Sequence, residues 1–233
     1  MIRLGLLIPS SNTTMEPEFY KMLPEEFTIH TARLRLKSVT VESLAEMEQE
    51  IKSEASKLAD ADVSVIGYGC TSGSLFKGLG HDLEIEQRIE RASGKPAVAT
   101  AGAVVKALKS LKIRKVAVAT PYIDQINQLE ERFLTLNGIK VIDIKGLGIS
   151  DNLKIGKIPK ETLLNLVLSL SHKEADGIFI SCTNLPTINM IEELETILKK
   201  PVISSNTATL WAMLKKIAVP IKIKGYGKLL EEM

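Results

Sequence analysis

The chain has 233 residues, of which 45% are hydrophobic, 25% charged and 4% aromatic, and its formal net charge is +2. That length and hydrophobic share allow one large domain or two small ones and argue against wholesale disorder. The balanced charge and the scarcity of aromatic residues argue against a nucleic-acid partner. The longest apolar runs, such as Val116–Ala119, are too short to span a membrane, so we expect a soluble, cytoplasmic protein with no membrane partner.

Short apolar runs alternate with helix-period stretches along nearly the whole chain. The runs are rich in Val, Ile and Ala, with little polar alternation, which is typical of strands buried on both faces. The predicted strands are Arg3–Ile8, Thr28–Leu34, Val63–Gly67, Ala97–Ala99, Lys115–Ala119, Val141–Ile144, Gly177–Ser181 and Val202–Ser204. The predicted helices are Glu16–Met22, Val41–Leu58, Asp82–Ala92, Ala101–Leu111, Ile123–Leu136, Pro159–Leu170, Ile188–Leu198 and Thr207–Ile217. This alternation predicts an α/β fold of parallel sheet covered by helices. The segment Ile221–Leu230 is expected to be a closing strand or an arm on the first half.

An internal repeat divides the chain. Cys70 and Cys182 each end a predicted strand, each precedes a threonine, and they lie 112 residues apart. Pro9 and Pro121 follow two other predicted strands at the same offset. A pair of Lys-Pro dipeptides repeats later in each copy at an offset of 105 residues. Three matches in the same order indicate two similar α/β halves, each with a strand that ends in Cys-Thr.

The two cysteines are too few for a secreted disulfide scaffold of this size. The three histidines are scattered without ligand spacing, so we expect no metal site. In open parallel sheets, ligands bind outside the carboxyl ends of the strands, where both cysteines fall. The small polar residues that follow them are Thr71, Ser72, Thr183 and Asn184. Such turns present free backbone N–H groups, which favour a bound anion or a thiolate.

Two thiols that face each other could approach one substrate from opposite sides. This arrangement suits racemisation, or addition to one carbon with proton delivery to its neighbour, and neither reaction demands a cofactor. The simplest alternative is that each cysteine is a small buried hydrophobic residue at a strand end. A regulatory disulfide is a further alternative, but it explains neither polar turn. The repeat favours the functional interpretation, because unrelated core cysteines are not expected at matching positions beside matching threonines.

Other turns supply candidate carboxylate donors. Ser10 and Asn12 follow the first predicted strand and could donate to a carboxylate or simply cap the next helix. Tyr122 occupies the equivalent turn of the second half, where its hydroxyl could donate or its ring could merely pack. Asn152 lies in a loop, as a second amide donor or as a turn residue. These donors favour a small mono- or dicarboxylate as the substrate.

At these residues the chain resembles the aspartate/glutamate racemase superfamily, and more narrowly its branch of maleate cis–trans isomerases and arylmalonate decarboxylases. The similarity covers nearly the whole chain, and its motifs are specific together and weak singly. The matching motifs are Pro9-Ser10-Ser11-Asn12-Thr13 with Glu16, Cys70-Thr71-Ser72, Thr120-Pro121-Tyr122, Ser181-Cys182-Thr183-Asn184-Leu185, and Ser204-Ser205-Asn206 with Trp211.

The resemblance implies two pseudo-symmetric α/β halves with the active site in the cleft between them. The C-terminal helix then returns to the first half, so residues 1–99 and 207–233 form one half and residues 100–206 the other. The resemblance also implies that Cys70 is the nucleophile or one base and that Cys182 is the partner acid/base. The implied carboxylate-binding residues are Asn12, Tyr122 and Asn152, helped by Thr71, Ser72, Thr183 and Asn184.

Two departures from related patterns narrow the activity. Amino-acid racemases of the superfamily carry an acidic residue in the first turn, which here is Ser10-Ser11-Asn12, and arylmalonate decarboxylases keep only the second cysteine. The resemblance therefore favours maleate isomerisation, in which Cys70 adds to the alkene, the bond rotates and elimination releases fumarate, with Cys182 as acid/base. Racemisation or decarboxylation of another small carboxylate, and carboxylate binding without turnover, remain alternatives. Exposed helical faces could support a homodimer.

Overall fold

Two four-stranded sheets organise the chain, and the computed structural model describes residues 1–232. The strands are β1 (Ile2–Pro9), β2 (Phe27–Leu34), β3 (Val65–Tyr68), β4 (Ala97–Ala99), β5 (Lys115–Thr120), β6 (Lys140–Gly146), β7 (Gly177–Ile180) and β8 (Val202–Ser204). The helices are α1 (Met15–Met22), α2 (Val41–Met47), α3 (Ile51–Asp60), α4 (Thr71–Leu75), α5 (His81–Ser93), α6 (Thr100–Ser110), α7 (Asp124–Leu136), α8 (Asn152–Ile155), α9 (Lys160–Leu168), α10 (Ile191–Leu198), α11 (Ser205–Lys216) and α12 (Lys228–Glu231). All eight predicted strands are present, with ends that shift by a few residues.

The two sheets have the same topology. The first has the strand order β2-β1-β3-β4 and the second β6-β5-β7-β8, and every pair of neighbours is parallel. The central strands are buried on both faces, as the continuous apolar runs predict. The predicted α/β fold is therefore confirmed. Because β3 and β7 occupy equivalent central places, the turns that follow them are equivalent in the two sheets.

Two helices connect the halves by packing on the opposite sheet. Leu210 and Met213 of α11, near the end of the chain, share a hydrophobic core with Leu4 and Leu6 of β1. In turn, α6 packs into the core that contains the second sheet's strands β5 and β7. The two helices also touch each other, where the hydroxyls of Thr100 and Thr209 lie 2.9 Å apart. The division of the chain at particular residues stays a prediction.

The predicted helix Val41–Leu58 is wrong as a single element. The chain forms α2, then one 3₁₀ turn at Glu48–Glu50, then α3. Glu48 is buried on the otherwise apolar face, and Arg88 Nη2 donates to its backbone oxygen at 2.8 Å. That oxygen also accepts the N–H of Ile51, three residues on, so the spiral tightens locally. Hydrophobic spacing alone could not reveal this interruption.

The segment Ile221–Leu230 forms an arm, and its prediction as a strand is wrong. Ile223 and Leu230 pack in the core of the first sheet, and the N–H of Ile223 donates to the backbone oxygen of Leu230 at 2.9 Å. The sequence patterns also miss α4, α8 and α12, because helices of four or five residues are too short to show a period. Among residues 1–232, no helix combines the length and apolar character that a membrane crossing requires.

Candidate active site

Cys70 lies two residues beyond β3, at the start of α4. Its sulfur accepts the backbone N–H of Gly73 at 3.3 Å and lies 3.7 Å from the hydroxyl of Ser72. Gly73 is required at this point, because a Cβ there would approach the Cys70 sulfur to 2.9 Å and the Tyr68 hydroxyl to 2.7 Å. The turn therefore keeps the thiol next to two donors and leaves no space for a larger residue.

Cys182 lies at the equivalent place beyond β7, in an unusual backbone conformation. Its φ is +105°, a region that residues with a Cβ seldom occupy and that costs roughly 1–3 kcal/mol. The sulfur accepts the N–H of Asn184 at 3.4 Å, and the N–H of Cys182 donates to the hydroxyl of Ser205 at 3.0 Å. Surrounding structure thus maintains a strained turn that positions this thiol.

Hydrogen bonds join the two Cys-Thr turns directly. The hydroxyl of Thr71 donates to Ser205 Oγ at 2.8 Å, the atom that also accepts from Cys182. In the other direction, the hydroxyl of Thr183 donates to the backbone oxygen of Gly69 at 2.9 Å. Each turn is therefore tied to the other half, and the two thiols lie close enough for a charge on Cys70 to raise the pKa of Cys182.

Asn12 caps the next helix with its side-chain oxygen and directs its side-chain nitrogen at the Cys182 turn. Its side-chain oxygen accepts the N–H groups of Thr14 and Met15, both at 3.0 Å, where α1 begins. Its amide nitrogen donates to Thr183 Oγ1 at 3.0 Å. Because the side chain is only 1% exposed, this amide is aimed at the Cys182 turn rather than at solvent. The oxygen of the Asn12 amide therefore caps a helix, and the nitrogen of the same amide is a donor at the site.

Asn152 and Asn184 belong to a layer of hydrogen bonds over the thiols. The amide nitrogen of Asn152 donates to Ser11 Oγ at 2.9 Å. Asn184 accepts the N–H of Thr13 at 2.8 Å and donates to the backbone oxygen of Asn152 at 2.6 Å. Loops from both halves meet in this layer.

The remaining predicted residues take different places. Tyr122 is buried beside Cys182, and its hydroxyl donates towards that thiol and lowers its pKa. Ser10 is exposed, and its hydroxyl exchanges hydrogen bonds with the backbone of Leu36, at 3.3 Å to the oxygen and 3.1 Å to the nitrogen. The structure therefore brings Tyr122 to the thiols and leaves Ser10 at the surface, outside the group around them.

A surface cavity of about 530 Å³ lies outside this layer, and neither cysteine lines it. Its walls include Ser11 and Thr13, the residues that bond to Asn152 and Asn184 beneath. The lining residues are Ser10, Ser11, Thr13, Lys37, Ser38, Asp151 and Leu153. The cavity thus lies next to the loops that bond to Asn152 and Asn184.

The hydrogen bonds of the polar turns favour each thiolate, as predicted, but burial outweighs them, so the expected low pKa of the thiols is wrong for this closed arrangement. Burial raises the pKa of Cys70 to about 11, although the N–H of Gly73 and the hydroxyl of Ser72 act in the opposite direction. Burial likewise raises the pKa of Cys182 to about 12, against the lowering effects of Tyr122 and Asn184. Removing the sulfur from water outweighs the two hydrogen bonds that each thiolate would gain. Both thiols are therefore protonated at neutral pH.

Sequence reasoning missed two residues of this site. Ser205 cross-links the turns, and Glu130, which is buried on α7, accepts the hydroxyl of Ser181 at 2.6 Å next to Cys182. A signal for Glu130 was present, because Glu18 and Glu130 share the offset of 112 residues that relates the cysteines. Within residues 1–232, no cluster of three or more His, Cys, Asp or Glu side chains could hold a metal ion.

The fold and the site together define a class of protein: a duplicated α/β scaffold with one thiol from each half at a shared buried site. Residues 4–230 match the arylmalonate decarboxylase family. The chain is 33% identical to a maleate isomerase from Pseudomonas putida, over 99% of this chain and 97% of that protein.

Solved structures show the same relationship. A cysteine-to-alanine variant of a Pseudomonas putida maleate isomerase, crystallised with maleate, is 34% identical, with a TM-score of 0.96 over 99% of this chain and 97% of that one. A cysteine-to-serine variant of the Nocardia farcinica maleate cis–trans isomerase has a covalently bound succinylcysteine intermediate. It is 29% identical, with a TM-score of 0.95 over 100% of this chain and 99% of that one. This chain belongs to the arylmalonate decarboxylase family, which confirms the branch that the motifs indicate.

Proposed function

We propose that this chain is a cofactor-independent maleate cis–trans isomerase, with Cys70 as the nucleophile and Cys182 as its acid/base partner. The observation that carries the proposal is the cross-linked pair of Cys-Thr turns, which bring one thiol from each half to a single buried site. Full-length similarity to maleate isomerases supports it, as does the succinylcysteine in one of them, because succinylcysteine is what addition of a thiol to maleate produces.

The reaction needs one proton shared between two sulfur atoms. The Cys70 thiolate forms a C–S bond to one alkene carbon, and the π electrons of the alkene take the proton of Cys182 at the other carbon. The former double bond is now single and rotates. The Cys182 thiolate then removes a proton from its carbon, the double bond re-forms, and the C–S electrons return to Cys70 as fumarate leaves.

The carboxylates of the substrate require donors at both ends. Negative charge builds on one carboxylate as the thiolate adds, so a donor placed in advance contributes roughly 10²–10³ in rate. The proposed carboxylate-binding residues are Asn12, Thr71, Ser72, Tyr122, Asn152, Thr183 and Asn184, whereas Ser10 lines the surface cavity instead. Because several of these groups now bond to one another, binding requires an exchange of hydrogen bonds and an opening of the layer above the thiols.

The test is to replace each thiol separately. We expect Cys70→Ala and Cys182→Ala each to abolish the conversion of maleate to fumarate, followed by proton NMR, while circular dichroism shows a folded chain. In Cys182→Ser, the intact mass after incubation with maleate should rise by one maleic acid, on Cys70. Near-normal turnover by either alanine variant would show that the two-thiol mechanism is wrong.

Racemisation or decarboxylation of another small carboxylate is the second candidate. It is favoured by the match to the arylmalonate decarboxylase family and by two proton-carrying thiols placed at one site. Deuterium exchange at an α-carbon in D₂O without cis–trans change indicates racemisation, and release of CO₂ indicates decarboxylation. Binding of maleate without any of these reactions indicates a carboxylate-binding protein. A cytoplasmic location and a homodimer stay predictions, as does the exclusion of nucleic-acid and membrane partners.

A further inference from the structure

Two buried glutamates occupy matching positions in the two halves. Glu18 on α1 and Glu130 on α7 are 112 residues apart, the same offset that relates Cys70 to Cys182. Each helix follows the first strand of its half, and the two glutamates are 5% and 1% exposed. Charged side chains are seldom buried so completely without partners, so the partners of each carboxylate indicate what it does.

The two carboxylates differ in their hydrogen bonds. Glu18 accepts from the N–H of Thr187 at 2.6 Å, the N–H of Ile188 at 3.2 Å and the amide of Asn206 at 2.7 Å. Glu130 accepts only the hydroxyl of Ser181, through Oε1, and its Oε2 is buried without a partner. The single polar contact of Glu130 is therefore with the residue that directly precedes Cys182.

Among residues 1–232, no cation compensates the charge of Glu130. Side chains from α4, α6, α7 and β7 enclose it, and the gap between them has no room for a water molecule. These neighbours are Thr71, Leu75, Ala101, Val104, Phe133, Leu134 and Phe179. The titratable groups that face it are Cys182 and Tyr122. Burial raises the pKa of Glu130 to about 7, against the lowering effect of Ser181, so its charge changes near neutral pH.

No equivalent anion acts on Cys70. The pKa of Cys70 is raised by burial, and no charged group adds to that effect. The carboxylate on that side, Glu48, is instead paired with Lys77 and Arg88 and contacts His81. Although the scaffold is duplicated, an unpaired acid thus stands beside one thiol only.

We propose that Glu130, held beside Cys182 by the hydroxyl of Ser181, is a positioning residue that keeps Cys182 in its protonated, acid form and so adds to the difference between the two thiols. The assignment of acid and nucleophile rests on the proposed function. When Glu130 is ionised, its charge opposes a second negative charge on Cys182, and the first proton is lost from Cys70 instead. The hydrogen bond to Ser181 also supports the strand end from which the strained Cys182 turn departs.

The test measures the reactivity of Cys182 alone, in a Cys70→Ser background that has no other thiol. Alkylation by iodoacetamide is followed by intact mass from pH 6 to pH 9.5. Glu130→Gln keeps an oxygen that accepts from Ser181 and removes the charge. The matched control is Glu86→Gln, which replaces a buried glutamate bonded to the N–H of Ala99 and absent from the groups that shift either thiol.

The sign of the effect follows from the ionisation of Glu130. Below pH 7 the carboxyl is neutral, so the alkylation rate of Glu130→Gln should match that of the background chain at pH 6. At pH 9 the carboxylate is charged in the background chain only, so we expect alkylation to be about tenfold faster in Glu130→Gln. Glu86→Gln should follow the background chain throughout. Equal pH dependence in Glu130→Gln and the background chain, or a constant ratio across the range, overturns the proposal.

Ser181→Ala gives a second and independent measurement. It removes the hydrogen bond that lowers the pKa of Glu130, so the step in the alkylation profile should move to a higher pH than in the background chain. An unmoved step would show that the Ser181 hydrogen bond does not set the ionisation of Glu130 and would overturn the role given to Ser181. Alkylation requires no turnover, so a chain that fails to isomerise maleate but shows both effects supports the role of Glu130 and overturns only the proposed function.

Discussion

Ser205→Ala removes the hydroxyl that joins the two halves at the site. That oxygen accepts from Thr71 Oγ1 at 2.8 Å and from the N–H of Cys182 at 3.0 Å, and the residue is fully buried. The substitution leaves a buried N–H and a buried hydroxyl unpaired, each at a cost of roughly 1–3 kcal/mol, and the hydroxyl can turn to another acceptor. We expect the free energy of unfolding to fall by about 2–3 kcal/mol and Tm by roughly 4–12 °C.

Urea denaturation and thermal unfolding of Ser205→Ala measure this loss, and maleate turnover by the folded variant measures its effect at the site. Turnover should fall as well, because the Cys182 backbone holds its φ of +105° against strain with this N–H as an anchor. Ser110→Ala is the control, since its hydroxyl donates to Ala107 within the last turn of α6, and it should cost less than about 1 kcal/mol. If Ser205→Ala and the unmodified chain have equal stability and equal turnover, the Ser205 cross-link contributes to neither, and this reasoning is refuted.

Two further predictions concern the nucleophile and one donor. Because burial raises the pKa of Cys70 to about 11, its thiolate fraction in the closed site is about 10⁻⁴ at pH 7 and grows about tenfold per pH unit. We therefore expect kcat/KM for maleate, which reports the ionisation of the free enzyme, to rise from pH 7 to pH 9, and a plateau that begins below pH 8 contradicts this reasoning. Asn12→Asp keeps the oxygen that caps α1 but cannot donate to Thr183, so kcat/KM should fall by about 10²–10³. The free energy of unfolding in urea should fall by roughly 1–3 kcal/mol, because the new carboxylate oxygen is buried beside Thr183 without a donor, and activity lost only together with the fold contradicts the donor role.

The fold class could be predicted from the sequence because buried parallel strands have a characteristic pattern over a few neighbouring residues. Runs such as Lys115–Thr120 are apolar on both faces and short, which separates them from amphipathic helices before any contact is known. The prediction of secondary structure failed where a residue far away in the sequence contacts the element. The helix through Glu48 is interrupted because Arg88, forty residues away, takes part in its hydrogen bonds.

The candidate site shows the same division. The repeat placed Cys70 and Cys182 at equivalent turns, and the structure brings those turns together. Ser10 carries the same kind of motif evidence as Asn12, yet its hydroxyl bonds to Leu36 at the surface. Which side chain of a polar turn faces inward depends on the neighbouring strand, and the residues of that strand are distant in the sequence.

The amino-acid sequence by itself determined the alternation of strands and helices, the duplication and the two Cys-Thr turns, because periodicity and repeats are properties of neighbouring residues along the chain. Only the tertiary structure decided the protonation of the thiols and the connection between them. A pKa depends on how much water the packed halves exclude, and the contact between Ser205 and Thr71 joins residues 134 positions apart. The charge that Glu130 adds beside Cys182 likewise exists only after the chain has folded.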